Sequence, residues 1–374
     1  MLDSEHVLID KICFYNIFIT GISDFSALCK KEIITCRVNQ KNSIVLRGAQ
    51  PFSFLHIKKN DFFDDFQYGI SPNGKVYSVL EVSVQNMALD AYGILTDCNL
   101  NCDSVKEVKR AVKRIQANLF DIYGLTADMS FVRIKSIELN RTVPLENGSF
   151  DTYRRPIMLM MHMFSGKLRL SHEAEHSFCP SPQSDKKMQT VERDSGKRGV
   201  RFKAYDKSAQ LATENIPTVT TYLRFEVTLK SPSKVKEKLG TNFLEELDDH
   251  AIARYFDDLF KIYWEPEYQK WNLESKKYLQ HILKEKYEAG SRTWTKDVML
   301  AIYDNEQRTQ IPKMLALDAL IEELHVLPFR RPQDRYNAKQ SFSKVCASIT
   351  SIYQEGDDRR LQELIQKLFH AKVA

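Results

Sequence analysis

Apolar and polar positions alternate over much of the first hundred residues. The segments CFYNIFIT (13–20), EIITCRV (32–38), SIVLRG (43–48) and KVYSVLEVSVQ (75–85) are rich in β-branched and aromatic residues. Turn-forming groups such as Pro72-Asn73-Gly74 bound them, and together these features predict strands. The period then changes. Val105, Val108, Val112, Ile115, Leu119 and Ile122 recur at helical spacing, predicting a helix over SVKEVKRAVKRIQANLFDIY with Asp103 as its cap. Lys106, Lys109, Arg110, Lys113 and Arg114 cover the rest of that helix, either as a solvated face or as a phosphate-contacting one. A second β-rich block runs from about Phe131 to Lys230, broken by the polar loop CPSPQSDKKMQ. Beyond Pro232 the segments NFLEELDDHAIARYFDDLFKIYW, SKKYLQHILKEKYEAG, TWTKDVMLAIYDN, KMLALDALIEELHVL and RLQELIQKLFHA are all amphipathic at helical period. No internal repeat is evident. The predicted fold is α+β: an antiparallel-sheet domain with flanking helices over residues 1–232, then a mainly α-helical region over 233–374.

Three of the predicted strands each carry one polar face. In VRFKAYDK (200–207), Val200, Phe202 and Ala204 share one side, with Arg201, Lys203, Tyr205 and Lys207 on the other. In YLRFEVTLK (222–230), Leu223, Phe225, Val227 and Leu229 oppose Arg224, Glu226, Thr228 and Lys230. In SIELN (136–140), Ile137 and Leu139 oppose Ser136, Glu138 and Asn140. Upstream the alternation loses phase, since Val132 and Ile134 share parity with Glu138, and a bulge or strand start near Lys135 repairs it. Any half-buried antiparallel strand shows water such a polar face. The residue types here also suit phosphodiester chemistry. A tyrosine hydroxyl can attack phosphorus, but its ordinary pKa near 10 makes it a weak nucleophile at neutral pH. Lys207 is placed to stabilise the phenolate or the charge developing on phosphorus. Glu138 and Glu226 offer hard oxygen ligands suited to Mg²⁺ or Mn²⁺.

Composition narrows the choice of class. Against 54 Lys+Arg stand 49 Asp+Glu, a net charge of only +5, so any nucleic-acid partner must be held by local clusters. One such cluster comprises Lys186, Lys187, Arg193, Lys197, Arg198, Arg201, Lys203 and Lys207. No G-x-x-x-x-G-K-[ST] phosphate loop occurs. The N-terminus places acidic residues before its apolar run and reads as a strand, not a signal peptide, and no apolar stretch is long enough to predict a membrane span. The 7 cysteines are odd in number and scattered, and Cys98 and Cys102 have no second pair nearby, which argues against a zinc ribbon and for a reducing cytoplasm.

The block TVERDSGKRGVRFKAYDKSAQL (190–211), followed by TYLRFEVTLKS (221–231), resembles the core of rolling-circle replication initiators. The similarity is to filamentous-phage gene II replication proteins and to the related Rep-trans plasmid initiators. Tyr205-Asp206-Lys207 matches their Tyr-x-Lys element, Arg224-Phe225-Glu226 their Arg-hydrophobic-Glu strand, and Ile137-Glu138 the earlier acidic strand. The resemblance covers roughly Ser136 to Lys230. It implies that Tyr205 nicks one strand of origin DNA through a 5′-phosphotyrosyl link, with Lys207 as a supporting cation. It implies Glu138 and Glu226 as ligands of Mg²⁺ or Mn²⁺. From the basic cluster and the polar strand faces, Lys197, Arg198, Arg201, Lys203 and Arg224 are expected along the DNA. The freed 3′-hydroxyl would prime synthesis, and the reverse reaction would rejoin the displaced strand without ATP. The implied partners are single-stranded or supercoiled origin DNA, a host helicase and polymerase, and a second copy of the chain, in a bacterial cytoplasm. Glu138 departs from the Asp often found there, Ser136 replaces a basic residue, and no His-hydrophobic-His pair occurs.

Other readings compete. A non-catalytic DNA-binding protein would need the same basic cluster and no nucleophile. His172-Glu173-Ala174-Glu175-His176 satisfies the H-E-x-x-H pattern of zinc proteases, but Cys179-Pro180-Ser181-Pro182 allows only a short helix there and no third ligand follows. In the tail, 293–305 and 311–327 fit either a helix-turn-helix pair or a plain bundle. Tyr263, Trp264, Tyr268 and Trp271 fit interhelical packing better than base stacking, and Phe329-Arg330-Arg331-Pro332 reads as a linker able to touch phosphate.

Overall fold

A computed structural model describes residues 7–22, 35–38, 43–47, 55–58, 79–85, 87–89, 95–97, 105–123, 125–130, 132–146, 149–170, 190–213, 215, 218–349 and 356–372. Asp103, Pro72-Asn73-Gly74, Cys98, Cys102, the His172–His176 pattern, Lys186 and Lys187 lie outside these residues.

Among the described residues, eleven strands form one sheet in which every pairing is antiparallel. Its members are β1 (Leu8–Ile22), β2 (Thr35–Val38), β3 (Ser43–Arg47), β4 (Leu55–Lys58), β5 (Val79–Gln85), β8 (Leu125–Asp128), β9 (Arg133–Pro144), β10 (Lys167–Leu170), β11 (Thr190–Asp194), β12 (Val200–Asp206) and β13 (Tyr222–Leu229). The order is β10-β11-β12-β13-β9-β1-β5-β4-β3-β2, with β8 on β1, while β6 (Met87–Leu89) and β7 (Leu95–Asp97) pair separately. The antiparallel α+β architecture and the helical C-terminal region are thus as the hydrophobic pattern predicts.

Alternation along β9, β12 and β13 sends Ile137, Leu139, Phe202, Ala204, Leu223, Phe225 and Val227 to one side, where all are buried. Helices close over that side: α2 (Arg154–His162), α4 (Pro232–Leu239), α5 (Asp249–Asp258), the π-helical turn Leu259–Trp264 and α10 (Asp357–Phe369). Phe225 sits among the rings of Phe164 (5.4 Å), Phe256 (6.0 Å) and Phe369 (5.4 Å). A second core joins α6 (Glu265–Glu288), α7 (Trp294–Thr309), α8 (Leu317–Glu322) and α9 (Pro332–Ile349) around Leu283, Val298, Ile302 and Phe342. Helix α1 (Val105–Tyr123) buries Val105, Val108 and Val112, and its first amide donates to Asp249 Oδ1 at 2.6 Å. The tail aromatics pack as anticipated: Trp264 stacks on Phe260 and Tyr268 and is fully buried.

Three elements differ from the pattern-based expectation. Helix α2 interrupts the block read as β-rich. Its run Pro156-Ile-Met-Leu-Met-Met161 is buried all round and therefore shows no amphipathic stripe. Helix α9 buries only a narrow strip, Ala338 and Phe342. The predicted helix at Asn242 starts only at Asp249, after Asp248 accepts from the Ala251 amide at 2.6 Å as an N-cap.

Candidate active site

The register of β12, β13 and β9 lines up three rows across the side of the sheet facing away from the aromatic core. They read Tyr205–Arg224–Thr142, Lys203–Glu226–Asn140 and Arg201–Thr228–Glu138. The sequence-predicted Tyr205, Glu138, Glu226, Arg201, Lys203 and Arg224 therefore share one face.

A further acid joins them. On β1 the pairing with β9 steps from Ile9↔Leu139 to Lys11↔Glu138, two residues against one, so Asp10 is the extra residue of a β-bulge. The bulge turns Asp10 onto the same face, and one carboxylate oxygen each from Asp10, Glu138 and Glu226 lie within 4.8 Å of one another. Sequence reading missed Asp10, because period-two alternation carries no information across a bulge. Its one signal is an acid inside the apolar run LIDKICF. The second irregularity, Cys13↔Ser136 followed by Phe14↔Ile134, makes Lys135 the bulge residue of β9, where the lost phase of the sequence placed it.

The hydrogen bonds define a compact network. Tyr205 donates its hydroxyl to Glu226 Oε1 at 2.7 Å. The Lys203 ammonium lies 3.6 Å from Glu226 Oε2 and 4.2 Å from the centre of the Tyr205 ring. Glu138 Oε2 accepts from Arg201 and from Thr228, each at 2.8 Å. Arg224 lies 3.6 Å from Asp10 and donates to Thr142 at 2.9 Å. Each carboxylate thus has a cation within 4 Å, and Glu138 and Glu226 also feel a second. Arg201 and Lys203, with side chains 31% and 30% exposed, form the solvent side, whereas Tyr205 is only 7% exposed.

Burial and crowding set the protonation of these groups. Asp10 is pushed up to about 7 by burial and by the Glu226 carboxylate, against the pull of Arg224, and it shares a hydrogen bond with Glu138. Burial also raises Glu226, assisted by Glu138. Burial opposes ionisation of Glu138 too, but the Thr228 hydroxyl and the Arg201 guanidinium together hold it below the usual carboxylate range. Tyr205 is raised by burial first and by the Glu226 charge second, so its hydroxyl rests firmly protonated.

The donors fit a divalent cation. Three carboxylates converge, and Asn140, wholly buried in the row beside Glu226, has no hydrogen-bond partner for its amide among the described residues. A carboxamide oxygen is a further hard ligand of the type Mg²⁺ and Mn²⁺ accept.

The remaining predicted residues stand further out. Strand β12 ends at Asp206, and Lys207 opens helix α3 (Lys207–Thr213), buried, with its ammonium donating to Gln210 at 3.0 Å. Strand alternation therefore stops short of Lys207, and Lys203 is the lysine over the tyrosine ring. Lys197 and Arg198 are exposed at the tip of the β11–β12 hairpin, where Gly196 adopts φ +101°.

No family model matches the chain. No curated protein matches it. Among solved structures it is similar to a rolling circle replication initiator protein from Geobacillus stearothermophilus, at 10% identity and a TM-score of 0.36, covering 69% of this chain and 85% of that one. It is also similar to the TBP of Methanococcus jannaschii, at 13% identity and a TM-score of 0.28, covering 63% of this chain and 94% of that one. Both likenesses are distant. No helix among the described residues is long and apolar enough to cross a membrane.

Proposed function

We propose that this chain nicks and rejoins one strand of DNA with Tyr205 as nucleophile, and that it does so as a rolling-circle replication initiator. The carrying observation is the tyrosine hydroxyl hydrogen-bonded to one of three converging carboxylates on a face otherwise lined by Arg201, Lys203 and Arg224. The role in replication rests on the sequence resemblance over Ser136 to Lys230.

In the forward step the Tyr205 oxygen forms a bond to phosphorus and its proton passes to Glu226 Oε1, the atom it already points at. The P–O3′ bond breaks, the 3′-oxygen takes a proton from solvent, and the 5′-phosphate stays on the tyrosine. A carboxylate raised above its ordinary range is a stronger base than an exposed one, which suits Glu226 to this role. One phosphodiester is exchanged for another, so the 3′-hydroxyl can reverse the step without ATP. Asp10, Glu138 and Glu226 would hold Mg²⁺ or Mn²⁺, with Asn140 beside them. Such an ion, when bound, polarises a phosphate oxygen and offsets the carboxylate charge that keeps the phenol neutral. Lys203 and Arg201 face solvent and meet the phosphate, Lys197 and Arg198 extend that contact along the hairpin, and Lys207 supports the strand end that carries the nucleophile. Origin DNA, a host helicase and polymerase, and a second copy of the chain complete the proposed partners, in a bacterial cytoplasm.

The test incubates the purified chain with a 3′-labelled pool of random single-stranded DNA and Mn²⁺. A labelled protein band that survives boiling in detergent is expected, and its loss in Tyr205→Phe. Persistence of the band in that variant would move the chemistry to another residue. Salt-sensitive DNA binding with no band in the wild type, under either Mg²⁺ or Mn²⁺, would favour a non-catalytic binding protein.

A further inference from the structure

Away from the sheet, the second helical core carries a cleft of about 610 Å³ lined in part by Phe329, Arg330, Arg331, Arg335, Tyr336 and Lys339. Its size lies within the range of roughly 300–1,000 Å³ typical of small-ligand sites. Arg331 is paired with Asp334 at 3.1 Å. Among the described residues, the side chains of Arg330, Arg335 and Lys339 have no ion-pair or hydrogen-bond partner. Arg335, Tyr336 and Lys339 fall on one side of α9, at i, i+1 and i+4. Tyr336 is 55% exposed there, an aromatic ring held among uncompensated cations. Phe329, edge-on to Tyr287 at 5.5 Å, is one of its apolar lining residues, with Leu324 and Leu327.

We propose that this cleft is a second nucleic-acid site that takes single-stranded DNA, its phosphates on Arg330, Arg335 and Lys339 and one base against Tyr336. Unpaired cations on a surface of low overall charge mark a polyanion site. The exposed ring selects an unpaired base over a duplex, since stacking needs a free base face and tolerates any sequence. The site rests on its own residues; only its use, holding the strand that Tyr205 cuts, rests on the nicking reading. There a second grip on the same strand raises its effective concentration at the sheet.

The test is fluorescence anisotropy of the full chain with labelled oligothymidylate over a salt series. Replacing Arg330, Arg335 and Lys339 together by alanine should flatten the slope of log K against log salt by about 2, three phosphates contributing about 0.7 each. Tyr336→Ala should weaken binding about tenfold and leave that slope unchanged. All four side chains avoid the buried core, and the triple lysine/arginine exchange, which keeps the charges, should retain the wild-type slope. An unchanged slope in the triple-alanine variant overturns the proposal. So does an unaltered affinity in Tyr336→Ala, which would leave only non-stacking phosphate contact, and so does equal competition by poly-glutamate, which would make this an acidic-peptide site. If the wild type forms no adduct while the variants lose binding as described, the nicking reading fails and the cleft stands.

Discussion

Tyr205 rests in a state poorly suited to attack, buried, protonated and pointing at a carboxylate that a phenolate would repel. In the proposed reaction the carboxylate is the proton's destination. Glu226→Gln is therefore expected to slow adduct formation about 100-fold or more while leaving the fold intact, since the amide retains the shape and loses both the base and one anionic ligand of the proposed ion. Single-turnover kinetics of the detergent-stable band would read this. Asp10 gives a second residue-scale expectation. Its folded pKa near 7 lies above its ordinary value of 3.8, so the folded chain binds more protons between those limits. Stability contributed by Asp10 is accordingly greatest at low pH and falls as pH rises through that window. In urea titrations without divalent ions, Asp10→Asn should gain on the wild type between about pH 4 and about pH 7. Added Mn²⁺ should raise the wild-type midpoint more at the upper end, because the ligands must be deprotonated. A variant that tracks the wild type at every pH would remove Asp10 from the cluster.

At the scale of elements, legibility follows regularity. Strands β12 and β13 keep strict alternation, so Tyr205, Arg201, Lys203, Arg224 and Glu226 could be read from sequence onto one face, as the register shows. The bulge at Lys135 was legible because it breaks a phase that can be counted in residues on either side. The bulge at Asp10 was not, because Ile9 and Ile12 continue an apolar run that hides the inserted residue. Lys207 illustrates the opposite failure: alternation was extended past the end of a strand into a helix. Helices α2 and α9 went unread for contrasting reasons, one apolar on every side and one nearly polar throughout.

For the whole molecule, the question is how the sheet with its covering helices is tied to the second helical core. Arg155 of α2 answers it. Its guanidinium bonds Glu306 of α7 at 2.8 and 3.1 Å and the Met314 carbonyl at 2.5 Å, and lies 3.5 Å from Asp357 at the start of α10. All three charged groups are buried, and burial pushes Asp357 up to about 6 despite Arg155 beside it. Removing the cation takes the two-pronged partner from buried Glu306 and leaves Asp357 with Arg360 at 2.9 Å, so Arg155→Ala should cost about 3–5 kcal/mol in denaturant unfolding. The loss should shrink below about pH 6, where Asp357 takes up a proton. An unaltered midpoint would mean that the apolar packing alone holds the two cores together. The composition break near Pro232 marks where the strands end, whereas the helices beyond it divide between both cores, with α4, α5 and α10 packed on the sheet.

The proposed reaction leaves a covalent bond between Tyr205 and DNA. After reaction with single-stranded DNA and Mn²⁺, nuclease trimming and tryptic digestion, mass spectrometry of the peptide Ala204-Tyr205-Asp206-Lys207 tests it directly. Nicking by Tyr205 requires that peptide to carry a nucleotide phosphate on its tyrosine. An unmodified Ala204–Lys207 peptide beside a modified tyrosine elsewhere in the chain would contradict it.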